Sequence, residues 1–293
     1  MTTPPPGSHR CNHRSATGCS GVRLLTPPSA AGWESCLDRE SLVIRAGSRS
    51  VTGFYRARNE DRCAVDAERG VFLVVDGVGG HGGGAEASEI VARVLPSWLS
   101  QTEKSAGRDG EIIELAVADA IEAARREMIE IARTDPNFGR MAATMALAVV
   151  VDGILYVTHV GDCRAYLLHC GRLQRLTTDQ TYVQAAINAG VFTEETACNH
   201  VWCHVLTNAI GVTPLDEPID VHELGFCPGD RLVLCSDGLT NVVADDEIQQ
   251  LLALVGSPRA AANALVDLAL EHNSHDNVTC VVVDLAETES PPG

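Results

Sequence analysis

The sequence predicts an α+β fold. Apolar stretches of strand length come in runs, before residue 80 and again after residue 140. Helical periodicity is confined to separate blocks between and after them, so the strict alternation of a doubly wound sheet is missing. The chain has 293 residues and is 45% hydrophobic, enough to bury the core of one large domain or two modest ones.

The elements follow in order. "SLVIRAG", "RCAVDA" and "VFLVVD" read as successive strands from Ser41 onward. Glu86 to Gln101 reads as a helix that Pro96 should kink or bound. Glu111 to Arg133 reads as a stronger one, because Ile113, Val117, Ala120, Ala124, Met128 and Ile131 recur every three or four residues. "MALAVVVDG", "ILYVTHVGD", "CRAYLLHCG" and "RLQRLTT" predict an antiparallel meander, with Asp152-Gly153 as a hairpin turn. Asp179 to Gly190 reads as a helix, and 191–217 as irregular. "IDVHEL" and "DRLVLCSDG" return to strand. Asp245 to Leu254 and Pro258 to His272 read as helices, and "NVTCVVVDL" as the last strand. Residues 1–40, rich in Pro, Ser, Gly, Arg and Thr, predict a disordered tail. Residues 41–287 form the domain, and 288–293 a short C-terminal tail.

The net charge is -17. The first fifty residues hold six basic and three acidic residues, and the rest 16 basic against 36 acidic. An acidic body argues against nucleic acid as the main partner. No apolar run reaches the length of a bilayer span, and the opening residues carry no apolar leader, which predicts a cytoplasmic protein without a membrane partner. The 11 cysteines form no CxxC pair and read as reduced and mostly buried. Cys198, His200, Cys203 and His204 are zinc-type ligands, but their spacing fits no tetrahedral pattern, so ordinary loop or core residues is the favoured reading. Cys11, His13 and Cys19 read as a compositional accident.

Carboxylates recur at strand ends. "VFLVVDG" and "RLVLCSDG" each end in Asp-Gly, at Asp76-Gly77 and Asp237-Gly238. Asp276 stands just before a strand, and Asp162 in a Gly-Asp turn between two strands. Glu60 and Asp61 precede another strand, with Arg56 four residues ahead of Glu60. Any one of these is ordinary turn chemistry. Converging on one edge, they would repel unless cations neutralised them. Oxygen donors suit Mg²⁺ or Mn²⁺, and two such ions about 4 Å apart can activate water and clamp a phosphoryl group. Six glycines among residues 77–84 also raise a nucleotide-binding reading. A P-loop needs Gly-Lys-Ser/Thr, which is missing; a dinucleotide fingerprint would need Gly77, Gly79 and Gly82 as its three glycines.

Taken in order, "GFYRARNEDR", "VVDGVGGHGGGAEAS", "HVGDCRAYLL", "LTTDQTYVQ", "PGDRLVLCSDGLTNVV" and "HDNVTCVVVD" resemble the metal-dependent serine/threonine protein phosphatases of the PPM (type 2C) family in their bacterial form. The resemblance implies a four-layer αββα sandwich: two packed antiparallel sheets, flanked by helices. It implies Mn²⁺ or Mg²⁺, two ions with a possible third. Asp76 would bridge the two ions and the Gly77 carbonyl would ligate one. Asp237 and Asp276 would hold the other, Glu60 would act through water, and Asp162 with Asp237 matches a third site. Arg56 matches the arginine that grips the substrate phosphate, so Arg56, Asp76, Asp237 and Asp276 are the implied catalytic residues.

The implied reaction is attack of metal-activated water on a protein phosphoserine or phosphothreonine, opposing a bacterial serine/threonine kinase, in a monomer. It needs no cysteine nucleophile, and a tyrosine-phosphatase mechanism on a Cys-x5-Arg loop is set aside. Val78 stands where eukaryotic relatives carry a histidine general acid, and His81 reads as a structural histidine. Cys163 replaces the family's serine in Gly-Asp-Ser-Arg, and Ala142-Ala143-Thr144 replaces Gly-Thr-Thr. The competing readings are a catalytically weak PPM-fold regulatory or phosphoprotein-binding module, and a nucleotide binder using the glycine segment.

Overall fold

The first strand, β1 (Leu42–Val51), pairs antiparallel with the last, β11 (Val278–Glu287), in a computed structural model that describes residues 42–102, 110–197 and 200–287. The expectations for residues 1–40 and 288–293, for Cys11, His13 and Cys19, and for Cys198 lie outside the described residues.

Between these strands run β2 (Asp61–Asp66), β3 (Val71–Val78), α1 (Gly83–Thr102), α2 (Gly110–Thr134), β4 (Ala142–Val151), β5 (Ile154–Val160), β6 (Arg164–His169) and β7 (Arg172–Arg175). Then come α3 (Tyr182–Asn188), α4 (Glu194–Ala197), β8 (Ile210–Gly211), β9 (His222–Gly225), β10 (Arg231–Cys235), α5 (Asp237–Thr240), α6 (Asp245–Leu254) and α7 (Pro258–Glu271). One sheet has the order β1-β11-β10-β6-β7. The other has β2-β3-β4-β5-β9, with β8 on the end of β4.

Strand alternation builds the layers. In β3, Phe72 and Val74 face the second sheet, where they meet Leu232, Leu234, Val281 and Val283. Val71, Leu73 and Val75 face the other way, against Ile90, Leu95, Val117 and Ile121 of α1 and α2. On the far sheet, Val233, Cys235, Cys280 and Val282 pack under Ile248, Leu252, Leu265 and Val266 of α6 and α7. A strand buried on both faces reads as an unbroken apolar run, which is how "VFLVV" reads. The αββα order is therefore the arrangement that covers four apolar sheet faces.

Two local expectations differ. Helix α1 continues through Pro96, because Leu95 and Leu99 on either side of it are buried against the sheet. That tertiary packing outweighs a local cost of about 3 kcal/mol. The predicted meander is also divided. The β4–β5 hairpin turns at Asp152 and Gly153, both with positive φ, as a primed turn requires. At Gly161-Asp162, however, the chain leaves one sheet for the other, and β6 pairs with β10 rather than β5.

Candidate metal cleft

The carboxylates come from both sheets. Asp76 sits within β3, opposite Thr144 of β4 and Asp61 of β2. Glu60 immediately precedes β2, and Asp162 lies in the turn that crosses between sheets. On the other side, Asp237 opens α5 just beyond β10, and Asp276 precedes β11. All of these except Asp61 line one cleft of about 590 Å³, together with Arg56, Gly77, Val78 and His204. The structure thus brings Arg56, Glu60, Asp76, Gly77, Asp162, Asp237 and Asp276 to one cleft.

The Asp-Gly pairs differ from expectation. Neither glycine ends a strand by turning away. Gly77 continues in β3, paired with Ala143. Gly238 is inside α5, where a β-carbon would lie 1.9 Å from the Asn277 carbonyl oxygen. Both positions need the absence of a side chain more than freedom of φ.

The electrostatics show crowding. Burial pushes Asp76 well above the usual carboxylate range, and Asp61, Asp237, Asp162 and Asp276 push it further. Asp162 is raised to about 7, by burial first and then by Asp237 and Asp179. Asp237 is raised by burial and by Asp276, with the side chains of Asn241 and Asp76 opposing. Asp61, 1% exposed, is raised to about 7, mainly by burial. The Oδ1 atoms of Asp61 and Asp237 are buried without hydrogen-bond partners. A buried carboxylate oxygen left unpaired is costly, and a cation is the partner that suits it.

The donor set is all oxygen, which fits Mg²⁺ or Mn²⁺. Among the described residues, no three His, Cys, Asp or Glu side chains close on one point as a finished cage. The carboxylates line an open cleft instead.

Around them is a supporting frame. Arg56 Nη2 donates to Asp276 Oδ2 at 2.5 Å. Asn277 accepts the Glu60 backbone N–H at 2.8 Å and donates to the carbonyls of Thr52 and Arg58 at 2.8 and 3.0 Å. Ser236 Oγ donates to Asp61 Oδ2 at 2.7 Å and accepts the Thr279 N–H at 3.0 Å. Arg164 holds Asp179 through two hydrogen bonds, 3.0 and 2.7 Å. Cys163, which departs from the family pattern, touches a residue that keeps it: Thr144 Oγ1 and Cys163 Sγ are hydrogen-bonded at 3.2 Å, both buried.

Sequence reasoning gave no site role to Ser236 or Asn277 and none to Asp61 beyond its place before a strand, and it weighed His204 only within a zinc-type cluster that it set aside. His204 Nδ1 lies 3.9 Å from Asp237 Oδ2. Its neighbour His200 packs instead against Phe192 and Trp202, so these two histidines face different surroundings. Val78 lies at the cleft, 42% exposed, with nothing to titrate. The side chain of His81 lies outside what the structure describes. A Cys-x5-Arg spacing does occur, at Cys63 and Arg69, contrary to the setting aside of such a loop. It forms no phosphate loop: Cys63 lies in β2 opposite Val74, its thiol raised by burial, and Arg69 pairs with Asp66 at 2.6 Å.

A two-sheet sandwich whose seam opens into a carboxylate-lined cleft defines the class. The chain belongs to the protein phosphatase 2C family, whose profile matches residues 56–270. It is 33% identical over 251 residues to the serine/threonine protein phosphatase PstP of Mycobacterium tuberculosis, covering 85% of this chain and 46% of that protein. The chain therefore spans about half the length of that relative. It is 30% identical to the serine/threonine phosphatase stp of Listeria monocytogenes, covering 82% of this chain and 96% of that one. The crystal structure of the M. tuberculosis PstP phosphatase superposes with a TM-score of 0.75 at 30% identity, covering 84% of this chain and all of that one. A second solved structure, the PstP catalytic domain in complex with two manganese ions, gives 0.72 at 29% identity, with 84% of this chain covered and all of that one.

Proposed function

We propose that this chain is a divalent-cation-dependent serine/threonine protein phosphatase, with residues 41–287 as its catalytic domain and 1–40 and 288–293 as tails. The observation that carries the reading is the meeting, in one cleft, of carboxylates from both sheets with Arg56. The names of its relatives and the manganese complex of a structural neighbour support the same reading.

In this reading Asp76, the Gly77 carbonyl, Asp237 and Asp276 would hold two ions. Glu60 would act through water, and Asp162 with Asp237 would serve a third. Two Mn²⁺ or Mg²⁺ ions would supply an activated water and the positive charge that phosphoryl transfer needs. The chain supplies the rest. Arg56 offers a guanidinium fork to the phosphate dianion, which must compete with Asp276 for it. Asn277 ties the Arg56–Glu60 loop to the base of β11, so phosphate and carboxylates keep a fixed relation. Val78 donates no proton to the leaving alkoxide. The substrates are phosphoserine- and phosphothreonine-bearing proteins, the opposing enzyme a bacterial serine/threonine kinase, the setting cytoplasmic and the active species a monomer.

The test is turnover of a phosphothreonine peptide by purified protein with Mn²⁺, alongside metal titration by calorimetry. We expect metal-dependent phosphate release, reduced more than about a hundredfold by Asp76→Asn, since ligand loss should exceed the effect of losing a supporting residue. No turnover, or turnover unaffected by that substitution, would count decisively against the reading. Binding of phosphopeptide without turnover would favour the regulatory-module alternative.

A further inference from the structure

We propose that Arg58 and the cavity beside it form a second anion subsite, reading an acidic or phosphorylated residue within two positions of the one being dephosphorylated. This rests on the phosphatase reading above.

A cavity of about 610 Å³ adjoins the main cleft and shares Arg56, Glu60 and Asn277 with it. Its own lining includes Arg58, Gly82, Asn137 and Phe138. Arg56 and Arg58 are two residues apart, so their Cα atoms are separated by at most about 7 Å. That is the span between alternate residues of an extended peptide. A phosphate on Arg56 therefore places a neighbouring side chain of the same substrate within reach of Arg58.

Arg58 is a cation beside the cleft in a chain of net charge -17. Its guanidinium is exposed and has no hydrogen bond or ion pair among the described residues. Arg49, Arg62, Arg93, Arg164 and Arg231, by contrast, are each paired with an acid. The backbone beneath Arg58 is held, since its carbonyl accepts from Asn277 at 3.0 Å. The guanidinium lies over Gly82, where a β-carbon would be 2.6 Å from Nη1. The glycine-rich segment thus leaves the space that Arg58 occupies. Of the acids that line this cavity, Asp135 already accepts the Asn137 N–H at 2.9 Å, and Glu60 belongs to the main cleft. An unpaired guanidinium on a held stretch of backbone, beside a phosphate-binding arginine, suits a second carboxylate or phosphate.

The experiment compares kcat/KM for loss of the phosphothreonine phosphate, followed by mass spectrometry, on one peptide carrying Gln, Glu, phosphoserine or Lys one or two positions away, with p-nitrophenyl phosphate as the activity control for the wild type. We expect Glu or phosphoserine at one of these positions to be preferred over Gln by about threefold to fivefold, the upper part of the range of exposed charge pairs, through KM rather than kcat. The preference should shrink with salt. Arg58→Gln should abolish it, and Arg58→Glu should turn it toward Lys. The Glu and phosphoserine arms separate a carboxylate reader from a phosphate reader. An active wild type that treats Gln and both acidic peptides alike, or an Arg58→Gln variant that keeps the preference, would overturn the proposal. Inactivity on the aryl phosphate and on every peptide would overturn the phosphatase reading, and this proposal with it.

Discussion

Gly77 and Gly84 pack backbone against backbone. A β-carbon on Gly77 would lie 2.0 Å from the Gly84 carbonyl oxygen, and one on Gly84 would lie 2.5 Å from the Gly77 carbonyl oxygen. The Glu60 carbonyl is also 2.7 Å from the first of these positions. None of these is a flexible side-chain tip that could move aside. Gly77→Ala should therefore destabilise the protein by about 3 kcal/mol or more, at the upper end of overpacking costs. Urea unfolding would measure it, and a loss under about 1 kcal/mol would show that the contact is easily relaxed.

Arg56 carries a different kind of prediction, because it binds Asp276 in the free protein. Arg56→Ala should lower kcat/KM on a phosphopeptide by about tenfold to a hundredfold, the scale of lost charge-assisted hydrogen bonds. It should not weaken Mn²⁺ binding, since it frees a carboxylate. Calorimetry separates the two effects. A parallel loss of metal affinity would place Arg56 in the frame of the cleft rather than at the substrate.

The raised carboxylates make stability depend on pH in the cation-free protein. Asp61 and Asp162 titrate at about 7 when folded, against about 3.8 for a free carboxyl. Between these values the native protein holds protons that the unfolded chain has released. Stability is then full below about pH 4 as far as these groups are concerned, and falls as pH rises through 7, on the order of a few kcal/mol. Melting temperatures in a chelator from pH 4.5 to 8 should decline, and Mn²⁺ should restore them most at the alkaline end, because cations displace those protons. A melting temperature that climbs across this range in chelator would contradict the assignment.

Ser236→Ala removes the hydroxyl that holds Asp61 Oδ2 and accepts the Thr279 N–H. Asp61 Oδ1 already lacks a partner, so the buried carboxyl would lose the hydrogen bond that holds its other oxygen. The expected loss is about 1–3 kcal/mol by denaturant unfolding. Ser236→Thr, which keeps the hydroxyl, should recover part of it.

How much of this the sequence reveals depends on the reach of each interaction. Asp76, Asp237 and Asp276 are legible because each stands beside an apolar run, and such a run is a local signal. Asp61 and Ser236 are not, because a bond between residues 175 apart leaves no spacing to read. The crossing at Asp162 is hidden for a similar reason: "HVGDCR" looks like a hairpin, and only the pairing of β6 with β10 decides which sheet it enters. Pro96 was legible as a breaker, but the burial of Leu95 and Leu99 that overrides it belongs to the tertiary fold. Arg58 is visible in the sequence only as one more basic residue, and its lack of an acidic partner is a property of the folded surface.

The bond between Ser236 and Asp61 joins the base of one sheet to the first residue of the other. It works as a rivet across the seam, between residues next in the chain to Glu60 and Asp237, which line the cleft. The two banks of carboxylates consequently keep their separation without help from a guest. An entering ion meets a socket of preset width and has protons to evict, but no sheets to draw together. Preference among divalent ions would then follow radius and dehydration more than any closing motion of the protein.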